Sequence, residues 1–293
     1  MRVFVTGATG FIGSAIVREL LAGGHEVLGL ARSEASAGAL GQAGAQAHRG
    51  DLTDPDGLAA AARACDGVIH TAFIHDFTQF AANAEIDRRA VTAITGALEG
   101  SGKPIVIASG TLSASHVRPA TELDPPMSPD LPRIASEIAV LTTPGVRGGV
   151  VRLPPTVHGA GDHGFVPRMI DFAREHGVAA YVGDGANHWP AVHRLDAARV
   201  FCLALAKGPP ASRWHAVAEA GVPMRRIAEA IGEGVGVPAR SVTAEAAPAY
   251  LDFLAGFSAM DNPTSSALTR EALGWTPTQP ALLIDMKEGG YFA

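Results

Sequence analysis

Residues 3–7, VFVTG, form a short apolar run that ends in glycine. Residues 11–24, FIGSAIVRELLAGG, follow with apolar positions three and four apart and stop at a Gly pair. The first run predicts a buried strand and the second a helix. The alternation continues through strand HEVLGLAR (25–32), a helix near 34–43, strand AQAHRG (45–50), a helix over 55–64 and strand GVIHTA (67–72). A helix near 80–100 and strand PIVIASG (104–110) come next, then a helix opening at Pro132 and strand GGVVRLP (148–154). Proline is tolerated in the first turn of such a helix. Near-continuous apolar strands separated by helices predict an α/β fold, a doubly wound parallel sheet covered on both faces. Beyond residue 154 the rhythm breaks. GAGDHG (159–164) and GDGANHWPAVH (183–193) read as loops, with helices expected over 164–176, 195–207 and 223–235. All three tryptophans and all three tyrosines lie after residue 180. The chain therefore reads as two differently built parts. The first is 1–154, with 191–213 returning to it; the second is a smaller, irregular α+β part made of 155–190 and 214–293.

Composition narrows the partners. Of 293 residues 47% are hydrophobic and 18% charged, enough for a substantial core and too apolar for disorder. The net charge of −6, without any basic block, argues against nucleic acid and against an anionic membrane surface. Thr6, Gly7, Thr9 and Gly10 interrupt the first apolar run, so it does not read as a leader. No run reaches the ~18 apolar residues of a membrane span. Cys65 and Cys202 lack metal-site spacing and read as buried thiols in a reducing cytoplasm. No HxxxH pattern occurs, so no metal is expected. The expected partner is a small molecule, and a homodimer is left open.

The first βαβ unit carries the clearest chemistry. TGATGFIG sets Gly7, Gly10 and Gly13 between a strand and a helix. One glycine lets the chain turn, another admits a pyrophosphate to the backbone N–H groups, and a third lets helix and strand pack closely. That context makes the first part a Rossmann-type dinucleotide-binding unit. The end of the second strand reads Ala31-Arg32-Ser33, where an NAD binder usually offers an acid to the ribose. Arg32 can pair with a 2′-phosphate through its planar fork and Ser33 can add a hydroxyl, which points to NADP(H). Asp51 and Leu52 end the third strand, beside the expected adenine; Asp51 can equally cap the helix that follows Thr53.

With these residues the chain resembles the extended short-chain dehydrogenase/reductase superfamily, the NAD-dependent epimerase/dehydratase-like proteins. The resembling stretches are TGATGFIG, RGDLTD, VIHTA, VVRLPPTVHGAGD, WPAVHRLDAAR and LGWTP, and they run almost end to end. The resemblance implies that Gly7, Thr9, Gly10, Phe11, Ile12 and Gly13 line the pyrophosphate, with Arg32 and Ser33 at the 2′-phosphate. It implies Asp51 and Leu52 at the adenine, Thr71, Ala72 and Phe73 along the ribose, and Pro154 and Pro155 around the nicotinamide.

The family's Tyr-x-x-x-Lys pair has no counterpart. Aligned on it, the chain reads Arg133-Ile-Ala-Ser136-Glu137, and no tyrosine precedes Tyr181. The resemblance is thus to a branch without that pair. Arg133 cannot be a general acid, though its fixed charge can stabilise an alkoxide. The plainer reading is an Arg133–Glu137 surface pair worth a few tenths of a kcal/mol. Ser109 and Thr111, at the end of the fifth strand, can polarise a carbonyl or serve the turn. Histidine is the natural substitute at neutral pH, and His75, His158 and His163 are the candidates. Asp76 accompanies His75, while His188 and Trp189 are expected to shape the substrate side; His193 and Asp196 read as structural. The whole predicts an NADP(H)-dependent oxidoreductase reducing a C=O or C=N bond, with an epimerase or dehydratase, or a non-catalytic NADP(H) sensor, as alternatives.

Overall fold

The computed structural model describes residues 1–114, 119–128, 131 and 133–293. The chain opens with β1 (Arg2–Thr6), α1 (Gly13–Ala22), β2 (Glu26–Ala31), α2 (Glu34–Gln42), β3 (Gln46–Arg49), α3 (Pro55–Arg63) and β4 (Gly67–His70). A 3-10 turn at Phe77–Gln79 leads into α4 (Phe80–Leu98), β5 (Pro104–Gly110), α5 (Ile134–Thr142) and β6 (Arg147–Leu153). The expected strands and helices are present to within a few residues. Pro132, the expected opening of α5, lies outside the described residues.

The second half holds β7 (Thr156–His158), α6 (Phe165–His176), β8 (Ala179–Val182), β9 (His188–His193), α7 (Arg194–Lys207), β10 (Ser212–His215), β11 (Glu219–Pro223) and α8 (Met224–Val235). It closes with β12 (Ala239–Val242), α9 (Pro248–Leu251), α10 (Ala255–Ser258), α11 (Ala267–Leu273) and α12 (Leu282–Glu288).

Among the described residues, seven strands form one sheet in the order β10-β6-β5-β4-β1-β2-β3. All its pairings are parallel. The central strands β1, β4, β5 and β6 are apolar on both sides because both faces are covered there, whereas the edge strand β3 is polar and exposed. One face packs Val3, Val5 and Val106 against Ile16 and Leu20 of α1 and Phe201 of α7. The other packs Phe4, Val68 and Ile107 against Leu58 of α3, Ile94 of α4 and Val140 of α5. Each such side chain contributes about 1.5–3 kcal/mol by leaving water. Helix starts follow capping chemistry: Ser33 accepts from the Ser36 N–H, and Asp54 from the Gly57 N–H with Pro55 next in line.

The stretch read as the loop GDGANHWPAVH contains β9, so that expectation is corrected. Proline in the run hid the strand. Pro190 lacks an N–H, yet it sits where β11 shifts register between Glu219 and Val222, so a bulge absorbs the missing donor. β9 pairs with β7 and β11 in a three-stranded sheet, and β12 pairs with β8. These small sheets pack with α6, α8 and α12 around Trp189, Met224 and Ile231. No helix among the described residues is long and apolar enough to cross a membrane.

Candidate active site

The glycine loop has the shape of an anion cradle. Gly7 adopts φ +67°, and a Cβ there would come within 2.7 Å of the Ala72 nitrogen. A Cβ on Gly13 would collide with the Gly7 carbonyl, so that glycine lets α1 close on the loop. Thr9 and Gly10 form the exposed crest, and a Cβ on Gly10 would meet only the Gly7 oxygen, at 3.1 Å. Gly10 donates to Gly7 and Ser14 to Gly10, while the N–H groups of Phe11, Ile12 and Gly13 take no backbone acceptor among the described residues. Three unengaged donors at the N-terminus of α1 fit a dinucleotide pyrophosphate. The strand-four exit seals the loop's flank: the Thr71 hydroxyl donates to the Thr6 carbonyl at 2.9 Å and the Ala72 N–H to the Thr6 hydroxyl at 3.3 Å.

Arg32 is exposed at the end of β2 and has no ion pair among the described residues. The Ser33 hydroxyl is engaged in capping α2 and in donating to the Ser36 hydroxyl at 3.0 Å, which leaves Arg32 the freer group. Arg49, at the end of β3, pairs with Glu34. Asp51 does not cap α3, as that role belongs to Asp54; it closes a turn on the Thr53 N–H and hydroxyl, both at 2.9 Å. A small cavity lined by Leu52, Thr53, Pro55, Ile86 and Arg89 lies beside it.

Across the sheet from this, at the carboxyl ends of β4 and β5, Arg133 lies with its guanidinium 4.2 Å over the centre of the Phe73 ring. Its Nη2 donates to the Ala108 carbonyl at 2.9 Å, and its buried Nε has no partner. His75 stands edge-on to the same ring at 5.3 Å, on the exposed rim. Partial burial, then the charges of Arg133 and His163, hold the His75 pKa below its ordinary value. His163 sits edge-on to Phe11 at 5.7 Å, which brings the 159–164 loop to the glycine loop. Open α/β sheets bind ligands at this carboxyl edge.

Below Arg133 the carboxylates are already taken. Glu137 is buried and accepts from Arg152 at 3.2 and 3.0 Å, from Ser109 at 2.5 Å and from Arg213 at 3.4 Å. Burial opposes its charge, but Arg152 and its other donors outweigh burial and keep the carboxyl below its ordinary range. Asp87 accepts from Ser136 at 2.6 Å and joins His70, 3.1 Å away, whose other nitrogen meets the Thr6 hydroxyl at 2.9 Å. Burial opposes the Asp87 charge too, and the hydrogen bond and charge of His70, with Arg133 and Ser136, override it.

The sequence pattern of the NAD-dependent epimerase/dehydratase family matches residues 3–215. The chain belongs to that family. It is 48% identical to an uncharacterised protein of Schizosaccharomyces pombe over 295 residues, covering 100% of both chains. It is 27% identical over 259 residues to 2-alkyl-3-oxoalkanoate reductase of Stenotrophomonas maltophilia, covering 81% of this chain and 77% of that one. The fold matches a double mutant of DesIV, a dTDP-glucose 4,6-dehydratase of Streptomyces venezuelae with NAD bound, at TM-score 0.79 and 22% identity. That match covers 100% of this chain and 96% of the other.

Within this family fold several expected roles change. Glu137 does not form a surface pair with Arg133: it faces inward, since burying it beside Arg152 satisfies both charges. Thr111 is wholly buried and donates to Asn262 at 2.6 Å, and Ser109 is committed to Glu137, so neither hydroxyl is open to a ligand. His158 is 1% exposed and lies 2.7 Å from Asp285 of α12, away from the rim where His75 stands. Trp189 is 0% exposed within the second core, which corrects its assignment to the substrate side. His188 engages Asp261 at 3.2 Å, and Asp76 closes on Thr78 at 2.6 Å. Pro154 is buried and Pro155 half-buried between β6 and β7. His193 and Asp196 are structural as expected: His193 caps α7 and Asp196 holds the Thr278 and Gln279 N–H groups.

Asp87, Ser136, His70, Arg152 and Arg213 were not anticipated. The available signal was polarity in buried positions: Arg152 interrupts an apolar strand, and Asp87 falls on the buried stripe of α4.

Proposed function

We propose that this chain is an NADP(H)-dependent reductase acting on the carbonyl group of a small organic molecule. The observation that carries the reading is the pairing of two features at one edge of the sheet. The unengaged N–H groups of Phe11, Ile12 and Gly13 suit a dinucleotide, and beside them stand the Arg133 cation and the His75 and His163 rings, with no free carboxylate among the described residues. A bound nicotinamide cofactor would supply hydride. As the C–H bond forms, the C=O π pair moves to oxygen, which gathers negative charge and takes a proton. His75 is the group suited to give that proton, because it is titratable, accessible and adjacent to Arg133. The residues that would hold the cofactor are the glycine loop, Leu52 and, for a 2′-phosphate, Arg32. The Stenotrophomonas relative, named for reducing a 2-alkyl-3-oxoalkanoate, supports carbonyl reduction.

The test is NADPH consumption across a panel of aldehydes and ketones, with the alcohol quantified. One NADPH consumed per alcohol formed is expected. Product without net NADPH consumption would indicate an epimerase or dehydratase instead, and nucleotide binding without turnover would defeat the enzyme reading.

A further inference from the structure

Among the described residues Arg133 is a cation without an ion-pair partner. The Ala108 carbonyl holds one end of its guanidinium and the Phe73 face holds its plane, so the group is fixed before any ligand arrives. Its Nε is buried with no acceptor. The two carboxylates nearest in its electrostatic surroundings, Asp87 and Glu137, are engaged by His70 and Ser136 and by Arg152, Arg213 and Ser109. His75, the neighbour left beside it across the Phe73 ring, supplies no negative charge. A guanidinium is never neutral at physiological pH, and this half-buried one keeps a buried Nε–H without an acceptor, which is costly. A ligand anion would remove that cost.

The cofactor's phosphates do not account for it. The pyrophosphate belongs at the N-terminus of α1. A 2′-phosphate belongs at the end of β2, and β5 is three strands from β2 in the sheet, about 14 Å at the usual spacing. Arg133 stands on the other side, at the carboxyl ends of β4 and β5.

We infer that Arg133 anchors a carboxylate of the substrate, making the enzyme a reductase of short oxo acids. The inference rests on the carbonyl-reductase reading above and names its substrate class. The planar fork of arginine matches a carboxylate, and a pre-fixed fork loses little freedom on binding. Arg133 and His75 stand against one phenyl ring, 4.2 and 5.3 Å from its centre. Two groups that share one ring suit a short acid, a 2-oxo or 3-oxo acid, whose carbonyl lies close to the carboxylate. Hydride from NADPH goes to the carbonyl carbon, the oxygen takes a proton, and the carboxylate stays ionised.

The experiment compares 2-oxo and 3-oxo acids with their methyl esters, using the NADPH-loaded enzyme. Calorimetric titration of malonate, a non-reacting probe, into the NADP-loaded protein gives a readout independent of turnover. The wild type should favour acid over ester by about 100-fold in kcat/KM, the scale of one or two charged hydrogen bonds. In Arg133→Gln that ratio should collapse towards one, mainly through KM, and malonate binding should weaken at least about tenfold. Arg133→Lys, which keeps the charge and loses the fork, should fall between, and it serves if the glutamine variant folds poorly. If esters are reduced as well as acids and malonate binds alike to wild type and variant, the anchor is wrong and the reductase stands. If no carbonyl compound is reduced yet malonate binding depends on Arg133, the anion site stands and the reductase reading fails. Neither reduction nor malonate binding would overturn both.

Discussion

Glu137 and Arg152 form an ion pair with 3.0 Å between Oε2 and Nη2, and their side chains are 1% and 0% exposed. The pair joins α5 to β6. Ser109 and Arg213, which also bond Glu137, add the end of β5 and the edge strand β10. Four elements under the site therefore share one carboxylate, which positions α5 and the Arg133 that precedes it.

Glu137→Gln is expected to lower stability by about 3–5 kcal/mol, because it strands the Arg152 charge in the core. Arg152→Met together with Glu137→Gln should recover part of the loss, since no buried charge remains uncompensated. The sign with pH follows from the depressed Glu137 pKa. Its stabilisation is present above the unfolded value, near about 4.3, and is lost as pH falls through the lower folded value. Denaturant titrations of wild type and variant between neutral and acid pH should show the gap narrowing on acidification. A gap independent of pH would mean that Glu137 is not ionised in the fold.

The parallel sheet was legible because each strand and helix carries its own period, and local pattern suffices for such elements. The glycine loop was legible because backbone geometry restricts which residues can stand there. Pairing partners were not. Arg133 and Glu137 are four apart on one helix, and spacing alone assigned them to each other; burial assigns Glu137 to Arg152 on another element. His158 and Asp285 are 127 residues apart and Thr111 and Asn262 are 151 apart, separations over which no local pattern speaks. β9 was missed because the bulge that accommodates Pro190 lies on its neighbour, β11.

Gly10→Val should separate folding from nucleotide binding. A Cβ at Gly10 meets nothing but the Gly7 oxygen, so the loop can keep its path while the added side chain covers the crest where a pyrophosphate would lie. Circular dichroism should be unchanged and nucleotide binding lost. Normal binding would show that the cradle is elsewhere. Gly13→Val, by contrast, should impair folding as well, because its Cβ collides with the Gly7 backbone.

Arg32 should set cofactor preference. It is exposed at the end of β2 without an ion pair among the described residues, whereas Arg49 is already drawn to Glu34. NADPH should bind more tightly than NADH, and Arg32→Asp should shrink or reverse the difference by about 1–3 kcal/mol. Fluorescence titration with both nucleotides measures this. Equal wild-type affinities would remove Arg32 from the cofactor site.

The histidines should divide into one that acts on the reaction and one that holds the fold. His75 stands at the rim beside Arg133, so His75→Gln should lower kcat by about 100-fold, the scale of a lost general acid, with NADPH affinity kept. His158 is sealed against Asp285, so His158→Ala should cost about 1–3 kcal/mol of stability and leave kcat near the wild-type value in the folded fraction. The pH profile gives the sharper test. A proton donor must be protonated, so kcat/KM for reduction should fall as pH rises through the His75 pKa. Partial burial and the Arg133 charge place that pKa below the ordinary histidine value, about 6.5, so the fall should begin on the acid side of neutrality. Replacing Arg133 with Gln removes a positive charge and should move this limb upward, measured with a methyl ester so that a carboxylate adds no charge of its own. His75→Gln should abolish the limb. If His158→Ala removes it instead while His75→Gln leaves it in place, the proton comes from the interior and the assignment of His75 fails.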